Sequence, residues 1–348
     1  MRKLATIRKI DALDPIEGAD KIEVATVGGW KVVAQKGLYV VGDLAVYFEI
    51  DSWIPETLAP FLVKGKEARV FEGVKGERLK TIKLRGQISQ GLLMPMREIE
   101  AFVGNPLRVF NEDDDLTETL GIKKWEKVIP AQLAGVCKGN FPTRIPKTDQ
   151  ERAQNMVKEI VAANESGLRF EITEKLEGSS MTVYLMQGEF GVCSRNMDLK
   201  ETEGNSFWAT ARKEDIEAKM RAVDEHWDFA IQGELIGPGI QGNIYKLKET
   251  EFRVFDVYNI QTGGYLDPAD RRALIDRMGL KHVPVLAATA SLYDTLGITD
   301  IPQLLKFAEG KSVMGDITGP EREGLVFKEA NGGMSFKVIS NVYLLGEK

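Results

Sequence analysis

The stretch Glu171-Ile172-Thr173-Glu174-Lys175-Leu176-Glu177-Gly178-Ser179-Ser180 sets one lysine between a strand-like segment and a glycine. That setting makes Lys175 a candidate nucleophile. A lysine amine attacks only when neutral, so it needs burial or neighbouring positive charge to depress its pKa. Alone the pattern K-x-E-G is weak, because lysine, glutamate and glycine also meet in ordinary exposed turns. Further polar groups at strand-like ends add to it: Ser194-Arg195-Asn196, Gln232-Gly233-Glu234-Leu235, Phe252-Arg253-Val254-Phe255-Asp256, Glu323-Gly324-Leu325-Val326-Phe327-Lys328 and Ser335-Phe336-Lys337.

These groups must be carried by elements whose pattern is legible. Leu168, Phe170 and Ile172 alternate with Arg169, Glu171 and Thr173, which predicts a half-buried strand leading into Lys175, and Gly178 then permits a sharp turn. From Leu168 to Lys337 strands alternate irregularly with helices, one of them opened by Asp267 and Pro268 and closed by Gly279, which predicts an α+β domain. Residues 1 to about 105 read as short strands: Leu4–Ile10, Lys21–Val27, Trp30–Ala34, Ala45–Ile50, Leu79–Arg85 and Leu92–Met94, with turn signals at Gly28-Gly29 and Gly42-Asp43. That pattern suits a small β-barrel, with an OB-fold as the leading candidate. The acidic run Asn111-Glu112-Asp113-Asp114-Asp115 reads as the start of a linker with solvated carboxylates. The resulting division is 1–110, 111–150 and 151–348.

Composition narrows the chemistry. With 348 residues, 43% of them hydrophobic, the chain can bury two cores. Cys137 and Cys193 are the only cysteines and His226 and His282 the only histidines, so disulfide frameworks, Cys/His zinc sites and histidine triads are excluded. Both cysteines read as plain core residues. No apolar leader or membrane-length segment is present, which predicts a cytoplasmic protein. The net charge of -6 argues against nonspecific coating of nucleic acid, but residues 64–85 hold eight basic residues against three acidic ones, net +5. Lys80, Lys83 and Arg85 in that window form a candidate phosphate-backbone surface, or a lysine-rich edge that blocks strand pairing. Two motifs lack their context. Gly237-Pro238-Gly239-Ile240-Gln241-Gly242 is followed by no helix start, and Gly310-Lys311-Ser312 has Leu305 where a P-loop needs its first glycine.

In order and spacing, the Lys175 segment and those that follow it resemble the motif series of the covalent nucleotidyltransferases, the superfamily of ATP-dependent ligases and mRNA capping enzymes. The resemblance covers about residues 168–340 and is nearest to the RNA ligases that carry an N-terminal OB-fold domain. Phe141 to Asp149 and Arg152 to Asn155 look like the lead-in segment of that branch. The resemblance implies an antiparallel-sheet nucleotidyltransferase domain that uses ATP and Mg²⁺ or Mn²⁺ to seal RNA 3′-OH and 5′-phosphate ends through a lysyl-AMP at Lys175. It implies no obligate protein partner, and its implied task is repair of nicked RNA.

By the same resemblance Lys328 and Lys337 neutralise the α-phosphate, and Glu323 and Glu234 hold the metal, Glu234 also being suited to the ribose. Glu177 and Ser180 meet the ribose or metal-bound water. Backbone amides near Glu174 and Lys175 read adenine, and Arg195 and Asn196 meet phosphate or the RNA end. Phe255, or its competitor Phe252, stacks on the base, unless either simply fills the core. Two residues depart from the family pattern: Glu177 stands where many ligases have aspartate, and Ser335 where many relatives place a lysine. Only 11 residues follow Lys337, too few for the C-terminal OB domain of DNA ligases and capping enzymes. A DNA ligase or capping-type enzyme, and a non-catalytic nucleic-acid-binding module, are the alternatives.

Overall fold

The computed structural model describes residues 3–63, 65, 67–104, 109–125, 135–224, 226–314 and 319–346. The chain divides into two compact units, Met1–Val128 and Ile129–Lys348.

The first unit is built from short strands: β1 (Ala5–Lys9), β2 (Ala12–Pro15), β3 (Ile22–Val27), β4 (Trp30–Gln35), β5 (Leu44–Phe48) and β6 (Ser52–Pro55). They continue with β7 (Arg69–Phe71), β8 (Val74–Arg78), β9 (Thr81–Leu84), β10 (Gln87–Gln90), β11 (Leu92–Pro95), helix α1 (Met96–Val103) and β12 (Lys123–Lys124). Ile7, Val46, Phe48, Ile54, Met94 and Ile99 are central to the core. The strand expected over Leu79–Arg85 is present in shorter form as β9, Thr81–Leu84, which pairs with β10 as an antiparallel hairpin.

The acidic run at 111–115 is not a linker. The Asp113 amide donates to the Ile7 carbonyl, the Ile7 amide donates to the Asp114 carbonyl, and Arg8 pairs with Asp113 at 2.5 Å. Leu116, Leu120 and Ile122 behind it are buried in the first core. Strand pairing recruits this backbone, and a charge count is blind to strand pairing.

The second unit opens with β13 (Cys137–Asn140), β14 (Glu151–Arg152), α2 (Val157–Glu165), β15 (Arg169–Lys175), β16 (Ser179–Met186), β17 (Glu189–Cys193) and β18 (Met197–Leu199). It proceeds through α3 (Ser206–Lys213), α4 (Ile216–Val223), β19 (Phe229–Ile236), β20 (Glu251–Asn259), β21 (Gly264–Tyr265) and α5 (Pro268–Met278). It closes with β22 (Lys281–His282), β23 (Val285–Ser291), α6 (Ile301–Phe307), β24 (Gly324–Glu329), β25 (Ser335–Ile339) and α7 (Asn341–Gly346). Two sheets result, one ordered β13-β18-β17-β16-β19-β20-β21 with β22 joined to β20, the other β14-β25-β24-β15-β23. Apart from the β14–β25 and β20–β22 pairs the strands run antiparallel. Each sheet has its own apolar core, one around Val183, Ile231, Phe252 and Val254, the other around Phe170, Phe327 and Phe336.

Helix α5 begins and ends as its sequence predicts, with Asp267 as N-cap, Pro268 in the first turn and Gly279 in the left-handed conformation at φ 62°. β15 departs from its alternation: Glu171, Thr173 and Glu174 are as buried as the apolar residues between them. The polar face is packed against protein, and the buried Glu171 carboxylate is paired with Arg271, at 2.5 Å, and Arg272 of α5. Cys193 is buried as expected, whereas Cys137 is only half-buried.

Candidate active site

Lys175 ends β15, in the second sheet, and Ser179 begins β16, in the first, so the nucleophile candidate sits where the chain crosses between them. Strand register brings its partners to it. Lys175 lies opposite Gly324, next to Glu323, and Ser180 lies opposite Glu234. The Lys175 Nζ is 2.6 Å from Glu323 Oε1. Gly178 makes the crossing, but not through a special backbone angle. A Cβ there would stand 2.4 Å from the Leu235 carbonyl oxygen and 2.8 Å from Glu234 Cγ, so close approach is what demands glycine. Gly324 is likewise fixed by the Val338 carbonyl, 2.1 Å from where its Cβ would be.

Burial lowers the Lys175 pKa, but the facing Glu323 and Glu234 carboxylates outweigh it and hold the amine above its ordinary value. With only protein groups around it, Lys175 is an ammonium. Burial pushes Glu234 up to about 8, with Glu323 adding to the rise and Lys175 and Arg195 opposing it. The two carboxylates converge on one lysine, a donor set suited to Mg²⁺ or Mn²⁺, ions that take one or two carboxylates and complete their shell with water and phosphate oxygens. Among the described residues no group of three or more His, Cys, Asp or Glu gathers to hold a metal by itself.

The other two lysines are also paired. Lys328 Nζ lies 2.6 Å from Asp256 Oδ1 and donates to the Phe255 carbonyl at 2.7 Å; its burial lowers its pKa, and Arg271 adds to the effect against Asp256. Lys337 Nζ lies 2.7 Å from Asp149 Oδ1, and Asp149 Oδ2 is 3.6 Å from Arg195.

Between β19 and β20 the register slips, so that Gln232 faces Asp256 and Gly233 faces Val254, and Phe255 becomes the extra residue of a β-bulge. Its carbonyl accepts from Lys328 and from Arg271, the latter at 3.0 Å, and its half-buried ring has the Lys328 ammonium 5.5 Å from its centroid. Phe252 is wholly buried in the core, which removes it as a stacking residue.

Glu174 turns away from Lys175 by the alternation of the strand, and its buried carboxylate accepts from the Val313 amide at 2.9 Å; burial raises its pKa. Glu177 receives a hydrogen bond from Tyr343 at 3.0 Å. Ser180 meets Thr148 at 3.1 Å, and Lys147 donates to Asn196 at 3.0 Å. Residues 147–149 thus reach Asn196, Ser180 and Lys337, three positions of the site. Their lead-in segment is recognisable in the sequence, but the pairings of Asp149 are not, and neither are Tyr343 or Tyr245, whose hydroxyl accepts from the Glu177 amide at 2.7 Å.

In the first unit Lys80, Lys83 and Arg85 are exposed on and beside the β9–β10 hairpin, together with Ile82 and Leu84. Of the same basic window, Arg69 is paired with Glu77, and Arg78 with Asp51 at 2.5 Å. Lys64 and Lys66 lie outside the described residues. The Gly237–Gly242 run is an irregular loop, as its context predicts. No helix among the described residues is long and apolar enough to cross a membrane.

An RNA ligase family model matches residues 168–339, and an OB-fold domain model matches residues 4–96. A search of curated proteins returned no match. Among solved structures, a mutant of Naegleria gruberi RNA ligase with AMP and Mn is 43% identical, covers 99% of both chains and superposes with a TM-score of 0.89. A second mutant of that ligase, with ATP and Mn, is 43% identical over 99% of both chains with a TM-score of 0.88. The same ligase with PPi is 43% identical over 99% of this chain and 98% of its own, with a TM-score of 0.87.

Proposed function

Because this chain belongs to the RNA ligase family, we propose that it joins RNA 3′-OH and 5′-phosphate ends through a lysyl-AMP at Lys175. It is an ATP-dependent RNA ligase, with RNA and ATP as substrates and a divalent metal as cofactor. The observation that carries the covalent step is the Lys175 amine 2.6 Å from Glu323 at a junction that also holds Glu234.

In the first step Lys175 Nζ loses a proton and attacks the α-phosphorus of ATP; a phosphorus–nitrogen bond forms as the bond to the pyrophosphate oxygen breaks. In the second, a 5′-phosphate oxygen of RNA takes the AMP and returns the lysine. In the third, the 3′-hydroxyl displaces AMP and closes the phosphodiester. A divalent metal held by Glu323 and Glu234 would neutralise the carboxylates that keep Lys175 charged, and orient the departing pyrophosphate.

Lys328 and Lys337 face the charge that grows on the α-phosphate, their carboxylate partners Asp256 and Asp149 keeping both ammoniums in place beforehand. Phe255, on the face of β20 opposite the buried Phe252 and Val254, offers its ring to adenine; Glu234 is shared between metal and ribose. Glu174, Glu177 and Ser180 line the rest of the nucleotide site. Arg195 and Asn196 receive the RNA end, and Lys80, Lys83 and Arg85 track its backbone. The task we assign is repair of broken RNA inside the cell, with no further protein required for the three steps.

Incubation with α-labelled ATP, with GTP as control, tests the covalent step. Label on the original chain that is missing from Lys175→Ala supports it, and label on both, or on neither after AMP has been cleared with pyrophosphate, refutes it.

A further inference from the structure

Helix α5 buries one stripe, Arg271, Leu274, Ile275 and Met278, spaced i, i+3, i+4 and i+7. The last three belong to the first sheet's core, and the position where a fourth apolar residue would complete the stripe holds an arginine that is 1% exposed. A buried guanidinium is costly to desolvate, and a buried ion pair is often no more stabilising than apolar residues of the same volume. Stability alone therefore does not account for an arginine at this position.

Its partners do. One terminal nitrogen of Arg271 donates to Glu171 Oε2 at 2.5 Å, and the other to the Phe255 carbonyl at 3.0 Å. Glu171 lies on β15, the strand that ends in Lys175, and in register with Lys328 of β24; Phe255 lies on β20. The guanidinium thus spans the two sheets, joining the nucleophile's strand to the strand that carries the half-buried phenyl ring. Phe255 has no cross-strand partner on β19, β21 or β22, so its carbonyl is left to side chains, and two cations take it, Arg271 and, at 2.7 Å, Lys328. Arg272 pairs with the same Glu171 carboxylate, which therefore stays compensated when Arg271 is altered.

We propose that Arg271 is a positioning residue: by holding the Phe255 carbonyl against Glu171 of the nucleophile's strand, it fixes where the Phe255 ring stands relative to Lys175, and so sets the affinity for ATP. The proposal rests on the reading that this ring stacks on adenine. Lysine cannot take the place of Arg271, because an ammonium is a point donor, whereas the guanidinium fork reaches carboxylate and carbonyl at once. An arginine serving only to hold the fold would change ATP affinity by the same factor whether the Phe255 ring is present or not.

The test is the equilibrium affinity for ATP with Mg²⁺, measured by calorimetry on the full chain carrying Lys175→Ala so that no adenylate forms. That chain is compared with the same chain carrying Arg271→Lys, Phe255→Ala or both, each checked by thermal unfolding. The expected result is a loss of about three- to tenfold for Arg271→Lys and about five- to a hundredfold for Phe255→Ala, with the pair no weaker than Phe255→Ala alone. Glu171→Gln, which leaves Arg271 its carbonyl and an uncharged acceptor, should show a smaller loss that likewise vanishes without the ring, and it decides the question by the same criteria if Arg271→Lys does not fold. A loss that persists undiminished beside Phe255→Ala, or no loss at all, overturns the positioning role while leaving the stacking reading of Phe255 intact. An ATP affinity unchanged by Phe255→Ala overturns that reading, and the proposal with it.

Discussion

Replacing Glu234 by glutamine should stabilise the metal-free protein at high pH and do nothing at low pH. In the fold the Glu234 carboxyl titrates at about 8, against an ordinary value of 4.5, chiefly because it is buried. Between those values the folded chain binds a proton that the unfolded chain has lost, so stability falls as pH rises from 4.5 to 8 and levels off above. At 1.36 kcal/mol per pH unit the full difference corresponds to at most about 5 kcal/mol. Glu234 is only half-buried and shares its charge with Lys175 and Glu323, which reduces the expected cost to about 2 kcal/mol. For a unit of about 220 residues that is roughly 4 °C in unfolding temperature. The assay is thermal unfolding of the original chain and Glu234→Gln from pH 5 to 9, in chelator and without nucleotide. The gap between them should be near zero at pH 5 and about 4 °C in favour of the glutamine variant at pH 9. Mn²⁺ with ATP should shrink or reverse it, because the ligands bind only the folded state and need the carboxylate. A gap that does not change with pH would refute the assignment of that titration to Glu234.

The two phenylalanines of β20 should separate cleanly. Phe255→Ala should raise the KM for ATP by about five- to a hundredfold, the worth of one stacked base, with little change in stability, whereas Phe252→Ala should cost about 3–5 kcal/mol of unfolding free energy; steady-state adenylylation and melting curves read both. Replacing Lys80, Lys83 and Arg85 together by alanine should weaken RNA sealing and flatten its salt dependence by about 2–3 in logarithmic slope while sparing self-adenylylation. Equal loss of both steps would contradict that division of labour.

Local signals carried much of the site. Lys175 stands out where a strand pattern runs into a glycine, Glu234 and Glu323 because their segments follow it in the order that resembles the family's motif series, and α5 because its caps are written in Asp267, Pro268 and Gly279. What the sequence hides depends on register and packing between distant strands. Phe255 and Phe252 fall on opposite faces of β20 by simple alternation, and only the packing of the sheet shows that the Phe252 face is the core one. Glu171 reads as the exposed face of a strand, yet it is buried against Arg271, a residue a hundred positions away. Asp149 lies in a lead-in segment the sequence marks, but its pairings, like those of Tyr245 and Tyr343, carry no local mark, since each acts through a partner in another element. The same holds for the acidic run at 111–115, whose composition reads as solvent-facing while its backbone pairs with β1.

The claim at the centre of this account is that Lys175 carries AMP. Purified protein and Lys175→Ala, both first cleared with pyrophosphate, should be incubated with α-labelled ATP and Mg²⁺ or Mn²⁺ and resolved on a denaturing gel. Acid-labile, alkali-stable label on the original chain alone, chased onto a 5′-phosphorylated RNA end when one is added, is the predicted result. Label that survives in Lys175→Ala, or that never forms in the original chain, would contradict the mechanism.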